Sequence, residues 1–263
     1  MDKKKEKYLI NSVWAVGIFL VWELVAFLLD VVLKDPMADA KLPYPHKIII
    51  VIFQNIGELV QGAGVTLSRA VYGLLLGAIV GFILAILMSL SKIVEKIAFP
   101  YLIISQTIPV LGLAPIIFTL AKDMDLSRII IAAYITFFPV SVNMLSGLKG
   151  VEREKKELMY SYAAPKRSIY YKLMIPNSLP YLFAGLKIAA PMAITASILV
   201  DMLGSSGGIG VKLLYSLYSG TKDIFWASVV ISAVMGILSY FVVVLLEKIC
   251  MPWRREVAKE GGV

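Results

Sequence analysis

The sequence predicts an all-α protein that crosses a membrane six times, and two observations carry this prediction. Apolar residues make up 59% of the 263-residue chain and charged residues only 17%, with a mean hydropathy of +0.82. A water-soluble domain of this length needs much more charge to cover its surface. The second observation is that the apolar residues are collected into runs long enough to cross a bilayer.

Six apolar runs reach the length of about 20 residues that a helix needs to cross about 30 Å of hydrocarbon. They are Leu9–Leu33, Ala70–Leu90, Ile97–Leu120, Ser127–Leu148, Leu182–Leu203 and Ile224–Leu246. Three of the runs contain prolines, which membrane helices tolerate where neighbouring groups satisfy the freed carbonyls. The predicted transmembrane domain is therefore 9–250, between an N-terminal tail, 1–8, and a C-terminal tail, 251–263.

Basic residues set the predicted orientation. Lysine and arginine are concentrated in both tails and in the segments 92–96 and 149–172, which six crossings place on one side. Because cytoplasmic loops are enriched in these residues, both termini are expected in the cytoplasm. The same bias accounts for the net charge of +8, so no nucleic acid partner is expected. The single cysteine, Cys250, and the single histidine, His46, predict neither a disulfide nor a metal site.

Two segments depart from the alternation of spans and loops. Residues 46–60 are apolar but short and contain Asn55 and Glu58, so they predict a short external helix in the membrane interface. Residues 204–222 begin with a glycine- and serine-rich stretch that is too polar to span. This second segment is expected to form an outer or partly re-entrant loop.

The longest cytoplasmic connection, 149–180, predicts a hairpin of two short helices. The first helix covers about Glu152–Tyr160, and the second begins at Pro165 and is expected to end before Pro176. Ala163-Ala164 forms the turn between them. Apolar residues of the second helix share one face at three- and four-residue spacing: Ile169, Tyr170, Leu173 and Met174. Such a face suits either an anionic lipid surface or a groove on a partner protein.

This loop resembles the signature loop of the permease subunits of binding-protein-dependent ABC importers. The family's glutamate corresponds to Glu157, its glycine to Ala163, its aliphatic residue to Leu173, and its Leu-Pro pair to Ile175-Pro176. The sequence departs from the family pattern at Leu158 and Met159, which replace two alanines, and at Ala163. An alanine is strained at Ala163 if the turn needs a positive φ.

Further segments resemble the nitrate, sulfonate and taurine subgroup of that family, and they extend the resemblance over about 20–250. They are Leu42–Pro45, Thr66–Arg69, Leu179–Lys187 and Gly204–Gly210. The subgroup usually carries a glutamate where this chain has Asp201. The run from Glu157 to Ala164 is closer to the members that carry pyrimidine precursors of thiamine.

The resemblance implies a permease that works without enzymatic activity or cofactor of its own. Its expected partners are a second copy of the permease, a cytoplasmic ABC ATPase subunit, an extracytoplasmic solute-binding protein and the lipid bilayer. The expected solute is a small organic molecule or oxyanion. The residues expected to couple the ATPase to the pathway are Glu157, Tyr162, Ala163, Ile169, Tyr170, Leu173 and Pro176.

Polar and charged residues within the spans are the candidates for a solute pathway: Gln106, Asn143, Thr195 and Asp201. Asp201 is expected near the outer end of the fifth span, where water can reach it, while Glu23 is expected to form a structural pair. Lys187 is expected to extend towards the interface. The glycines never complete the G-x-x-x-x-G-K-[ST] pattern of a phosphate-binding loop. The alternative is a stand-alone secondary transporter or channel.

Overall fold

The computed structural model describes residues 3–204 and 207–253, so most of the C-terminal tail and part of the glycine-rich stretch lie outside the described residues. The described part is helical and contains no strand. Its helices are α1 (Lys3–Phe27), α2 (Ala38–Lys41), α3 (Pro45–Gln54), α4 (Ile56–Leu90), α5 (Lys92–Thr107), α6 (Val110–Ala121), α7 (Met124–Lys149), α8 (Arg153–Ser161), α9 (Lys166–Ile169), α10 (Ile175–Met202), α11 (Ile209–Ser219) and α12 (Lys222–Cys250).

Five helices are long and apolar enough to cross a bilayer, and a bent pair of helices makes a sixth span if both belong to one crossing. The five contain Ser12–Val32, Ile56–Leu90, Met124–Lys149, Lys166–Met202 and Lys222–Cys250. The pair is α5 and α6, whose axes meet at 100°. The predicted third span is therefore broken. Ile108 and Pro109 are both extended, because a proline disfavours helical backbone in the residue before it.

The second crossing begins earlier than predicted. The expected interfacial helix 46–60 ends at Gln54 in α3, and α4 starts only two residues later and runs for 35 residues. Its buried face explains the extension, because it carries small residues at three- and four-residue spacing: Gly62, Thr66, Ala70, Gly73, Gly77, Gly81 and Ala85. At Gly77, an added Cβ would lie 2.1 Å from the hydroxyl oxygen of Thr136 in α7. Small residues allow this close approach of the two helices.

The expectation that the loop's second helix ends before Pro176 was wrong. The backbone passes from α9 through a π-helical turn, Tyr170–Met174, directly into α10, so that one helix covers Lys166–Met202. Pro176 lies in the first turn of α10, where its missing N–H is tolerated. The wider turn before it ends with the Ile175 N–H bonded to the carbonyl of Tyr170.

The centre of the bundle is formed by α4, α7 and α10, with α1 and α12 flanking it and exposing most of their apolar side chains. We call the end of the bundle that carries α8 and α9 the hairpin end. We call the opposite end, which carries α11 and the start of α7, the distal end.

Candidate functional site

The hairpin consists of α8, a tight turn, α9 and the π-helical turn Tyr170–Met174. The turn is closed by backbone hydrogen bonds from Ala163 N–H to the carbonyl of Tyr160 (2.9 Å) and from Ala164 N–H to that of Met159 (3.1 Å). Ala163 has φ +49°, in the left-handed region that favours glycine. The turn therefore keeps the conformation of a glycine turn although an alanine occupies it.

The predicted coupling residues divide into two groups. Glu157 and Tyr162 are exposed, the latter at 77%, and Glu157 accepts a 2.6 Å hydrogen bond from Arg153 Nε one turn away. The other group packs on the bundle: Ile169 is only 4% exposed, and Tyr170, Leu173 and Pro176 are half-buried. The apolar face that the sequence offered to a partner is thus largely occupied by the chain itself.

Three further apolar residues of the hairpin, none of them among the predicted coupling residues, are exposed: Leu158 (57%), Tyr160 (60%) and Tyr171 (63%). Leu158 and Tyr162 are four residues apart, so they lie on one side of α8 and its end. That spacing was available in the sequence. Because the family has alanine at this position, Leu158 stands out in the sequence as a departure from the family pattern and not as part of an exposed apolar pair.

The hairpin is fixed to the bundle at several points. The Tyr170 hydroxyl forms a hydrogen bond with the Ser89 hydroxyl at the end of α4. Asn177 Nδ2 donates to the carbonyl of Gly147 in α7 at 3.1 Å. A Cβ on Gly147 would lie 2.8 Å from Ser178, so α7 and α10 touch there through backbone. The hairpin and the residues that follow it therefore contact α4, α7 and α10 directly.

The distal end contains a buried polar network around Asp201. Arg128 Nε faces Asp201 Oδ1 at 3.1 Å without the alignment of a hydrogen bond, and the two side chains are 1% and 0% exposed. Thr66 Oγ1 donates to Asp201 Oδ2 at 2.5 Å and accepts from the Ile209 N–H at 2.9 Å. Arg128 also donates to Asp125 at 2.7 Å. The network joins α4, α7, α10 and α11.

Glycines let the chain between α10 and α11 lie directly against Asp201. Gly208 has φ +123°, and a Cβ there would lie 2.1 Å from Asp201 Oδ2. A Cβ on Gly210 would lie 2.6 Å from the Cβ of Asp201. The expectation that water reaches Asp201 was wrong, because this glycine segment, Thr66 and Arg128 cover the carboxylate.

The other pathway candidates lie on three different helices. Gln106 and Thr195 are exposed, and Asn143 is half-buried. Asn143 Nδ2 donates to the carbonyl of Pro139 at 2.8 Å, and Thr195 Oγ1 to that of Pro191 at 3.1 Å. Gln106 is one residue from the break between α5 and α6, beside Ser105, whose carbonyl accepts from the Tyr134 hydroxyl at 2.5 Å. Among the described residues no hydrogen bond joins any two candidates.

Glu23 and Lys187, the two other charged residues singled out within the spans, are paired. Glu23 faces His46 Nδ1 at 2.8 Å, as expected of a structural pair. Lys187 forms an ion pair with Glu247, which lies three residues before the end of α12. No cluster of three or more metal-binding side chains occurs within 3–204 and 207–253.

Comparison with known proteins identifies the family. Residues 73–249 match the family described as binding-protein-dependent transport system inner membrane component. The chain is 35% identical over 193 residues to the formylaminopyrimidine transport permease protein ThiX of Halalkalibacterium halodurans, covering 73% of this chain and 76% of that protein. It is 27% identical over 228 residues to the nitrate import permease protein NrtB of Synechococcus elongatus, covering 83% and 80%.

A solved structure of the MetNI methionine ABC transporter, in an inward-facing conformation, has a similar fold. The TM-score is 0.63 at 16% identity, and the match covers 73% of this chain and 96% of that chain. The helical fold of this chain is therefore one already seen in a solved ABC transporter. The chain is a member of the inner-membrane component family of binding-protein-dependent transport systems, the permease subunits of ABC importers.

Proposed function

We propose that the chain carries a small organic solute of the pyrimidine-precursor class across the membrane, driven by an ABC ATPase that binds the hairpin. The proposal that an ATPase binds the hairpin is supported by the geometry of the hairpin. Leu158 and Tyr162 point their apolar surface away from the chain, while Tyr170 and Ile169 fix the same hairpin to the bundle. Exposed aromatic and apolar anchors on a rigid support suit a groove on a partner protein.

A continuous helix gives the proposed coupling a physical route. Lys166–Met202 runs from the hairpin to Asp201 at the distal end. Asp201 contacts Thr66 of α4 and faces Arg128 of α7, so rotation of this helix displaces the connection to α11. ATPase closure at the hairpin end would thereby rearrange the distal end. This requires a stiff element with two arrangements, and we propose that the continuous helix with its buried network is that element.

The proposed assembly contains two copies of this permease, two ATPase subunits and an external solute-binding protein, with the solute passing between the permeases. ATP hydrolysis takes place on the ATPase. The hairpin lies in the cytoplasm, as do both termini, because basic residues are concentrated at the hairpin end. Gln106, Asn143, Thr195 and Asp201 remain the proposed contacts or gate residues of the pathway.

The solute class rests on the named relatives. The protein with 35% identity is named for formylaminopyrimidine, and the one with 27% identity for nitrate. Calorimetry of the partner binding protein against formylaminopyrimidine, hydroxymethylpyrimidine, taurine and nitrate tests the assignment. Tight binding of nitrate or taurine with no response to either pyrimidine would contradict it.

The coupling proposal is tested in proteoliposomes that hold the permease, the ATPase and solute. We expect Tyr162→Ala and Leu158→Ala to abolish the stimulation of ATP hydrolysis by binding protein, because each removes an exposed anchor. Tyr171→Ala is the matched control. It removes the same aromatic area from the same hairpin, but on the side beside Ile86 and Leu90 of α4. Normal coupling in both anchor variants would contradict the proposal.

A stand-alone transporter makes a different prediction in the same vesicles. It would move solute without ATPase, along an ion gradient. Orientation is tested with a Cys250→Ser background and a cysteine introduced at Lys155 on α8, which we expect to react only with reagent on the cytoplasmic side. Labelling from the outside would overturn the orientation and with it the docking of an ATPase.

A further inference from the structure

A cavity of about 460 Å³ lies at the hairpin end, between α4, α5 and the last residue of α7. It is separate from the exposed anchors of the hairpin. Its wall is partly apolar and partly charged, and it is formed by Met88, Ser89, Lys92, Glu95, Lys96, Phe99, Pro100 and Lys149. A cavity that combines lysines with an apolar floor suits a ligand that has an anionic part and an apolar part.

The cavity carries a net positive charge that the chain does not neutralise. Glu95 is already paired with Lys149. Lys92 and Lys96 have no hydrogen-bond or ion-pair partner among the described residues, so the three lysines and one glutamate leave a charge of +2. Both unpaired ammonium groups line one cavity, where a single phosphate diester could contact them together.

The position of the cavity along α5 fits the surface of a bilayer. Lys92, Lys96 and Phe99 follow one another at four- and three-residue spacing and lie on one face of the helix. Ile103 lies one turn further along α5, in the direction of the middle of the bundle's length. It is 48% exposed and continues the same helix face. Along α5, the two lysines are therefore followed by exposed apolar side chains. A phospholipid has the same order, with a charged headgroup followed by apolar acyl chains.

We propose that this cavity binds the phosphate headgroup of an anionic phospholipid, with an acyl chain lying along Phe99 and Ile103. Basic pockets between transmembrane helices bind anionic headgroups in this way. The apolar stripe beside the lysines favours a lipid over a free anion, which would use only the charged half of the cavity. The site lies where α4, α5 and α7 meet, so a bound lipid would hold these three helices together at the hairpin end.

The experiment titrates the purified full chain in detergent with short-chain phosphatidylglycerol and follows binding by native mass spectrometry. We expect Lys92→Gln with Lys96→Gln to bind about 30-fold more weakly than the unchanged chain. The matched control is Lys172→Gln with Lys248→Gln, which removes two exposed lysines from the same end of the bundle and should bind normally. Lys92→Arg with Lys96→Arg keeps the charge and should retain binding.

Three outcomes would overturn the proposal. The first is that Lys92→Gln with Lys96→Gln binds phosphatidylglycerol as tightly as the control, Lys172→Gln with Lys248→Gln. The second is equal binding of phosphatidylcholine and phosphatidylglycerol by the unchanged chain. The third is displacement of phosphatidylglycerol by an equal concentration of inorganic phosphate, which would make the site one for a free anion. Because no ATPase or solute is present, these outcomes are independent of the proposed transport function.

Discussion

The two ends of the bundle use their side chains in opposite ways. At the distal end, charged and polar groups are buried and matched to one another: Arg128, Asp201 and Thr66 hold α11 against α4, α7 and α10. At the hairpin end, apolar side chains such as Leu158 and Tyr162 are exposed and unmatched within the chain. The comparison teaches that the distal end is stabilised from within, whereas the hairpin end leaves apolar surface that its own chain does not cover.

The largest expected effect comes from breaking the distal ion pair. Arg128→Ala leaves Asp201 buried without a counter-charge, and we expect a loss of about 3–5 kcal/mol of stability. Thermal unfolding in detergent measures it. Replacing both residues, Arg128→Met with Asp201→Leu, should recover part of the loss because no uncompensated charge remains. If Arg128→Ala unfolds like the unchanged chain, the distal end is not held from within and the comparison fails.

The next effect concerns the glycine segment over Asp201. Gly208→Ala places a Cβ 2.1 Å from the carboxylate, at a φ that alanine rarely adopts, and we expect a loss of about 2–3 kcal/mol. Gly207→Ala is the control one residue away, where an added Cβ meets only Val65 at 3.8 Å. A similar loss in both variants would show that any substitution in this loop is harmful, whatever its distance from Asp201.

A smaller effect, of the opposite sign, is expected at the hairpin turn. Ala163→Gly removes the strain of a left-handed alanine and should stabilise the chain by about 1 kcal/mol. Ala164→Gly, where φ is not positive, should give no gain. The unfolding midpoints of the two variants measure the difference. A gain at Ala164 alone would mean that the turn differs from the one described.

The smallest effect is a titration in the connection between the π-helical turn, Leu28–Val32, and α2. A hydrogen bond from Lys41 holds the pKa of Asp35 below its ordinary value. A lowered pKa stabilises the fold above the unfolded-state pKa, and the contribution is lost as the pH falls through the folded-state value. The carboxyl carbon shift of Asp35 should titrate below that of a free aspartate, and Lys41→Gln should raise its midpoint. An unchanged midpoint would show that the pair does not form.

Features that depend on local composition could be predicted from the sequence. The apolar runs are sufficient for the crossings, since span length is set by bilayer thickness. The hairpin and its turn at Ala163 follow from charge, helix formers and Pro165. The family resemblance rested on motifs in these same local stretches and was confirmed by the family match over residues 73–249.

Features that depend on distant contacts could not be predicted. In the sequence, Arg128 is a basic residue near the start of an apolar run. Nothing local shows that it faces Asp201, which lies 73 positions later (201 − 128). The burial of Ile169 and Tyr170 depends on Ser89 and the end of α4. An amphipathic pattern shows that a face will be covered, but it does not show whether its own chain or a partner covers it.

The length of the helix Lys166–Met202 determines where the hairpin stands relative to the bilayer. Ser178, which touches Gly147 near the end of α7, is 23 residues before Asp201, or about 35 Å along the axis. That distance is long enough to cross the hydrocarbon layer, which is about 30 Å thick. Tyr170, eight residues before Ser178, contacts Ser89 at the end of α4, so the hairpin begins where the spanning part of the bundle ends. In the proposed complex, the ATPase would therefore meet the hairpin at the membrane surface.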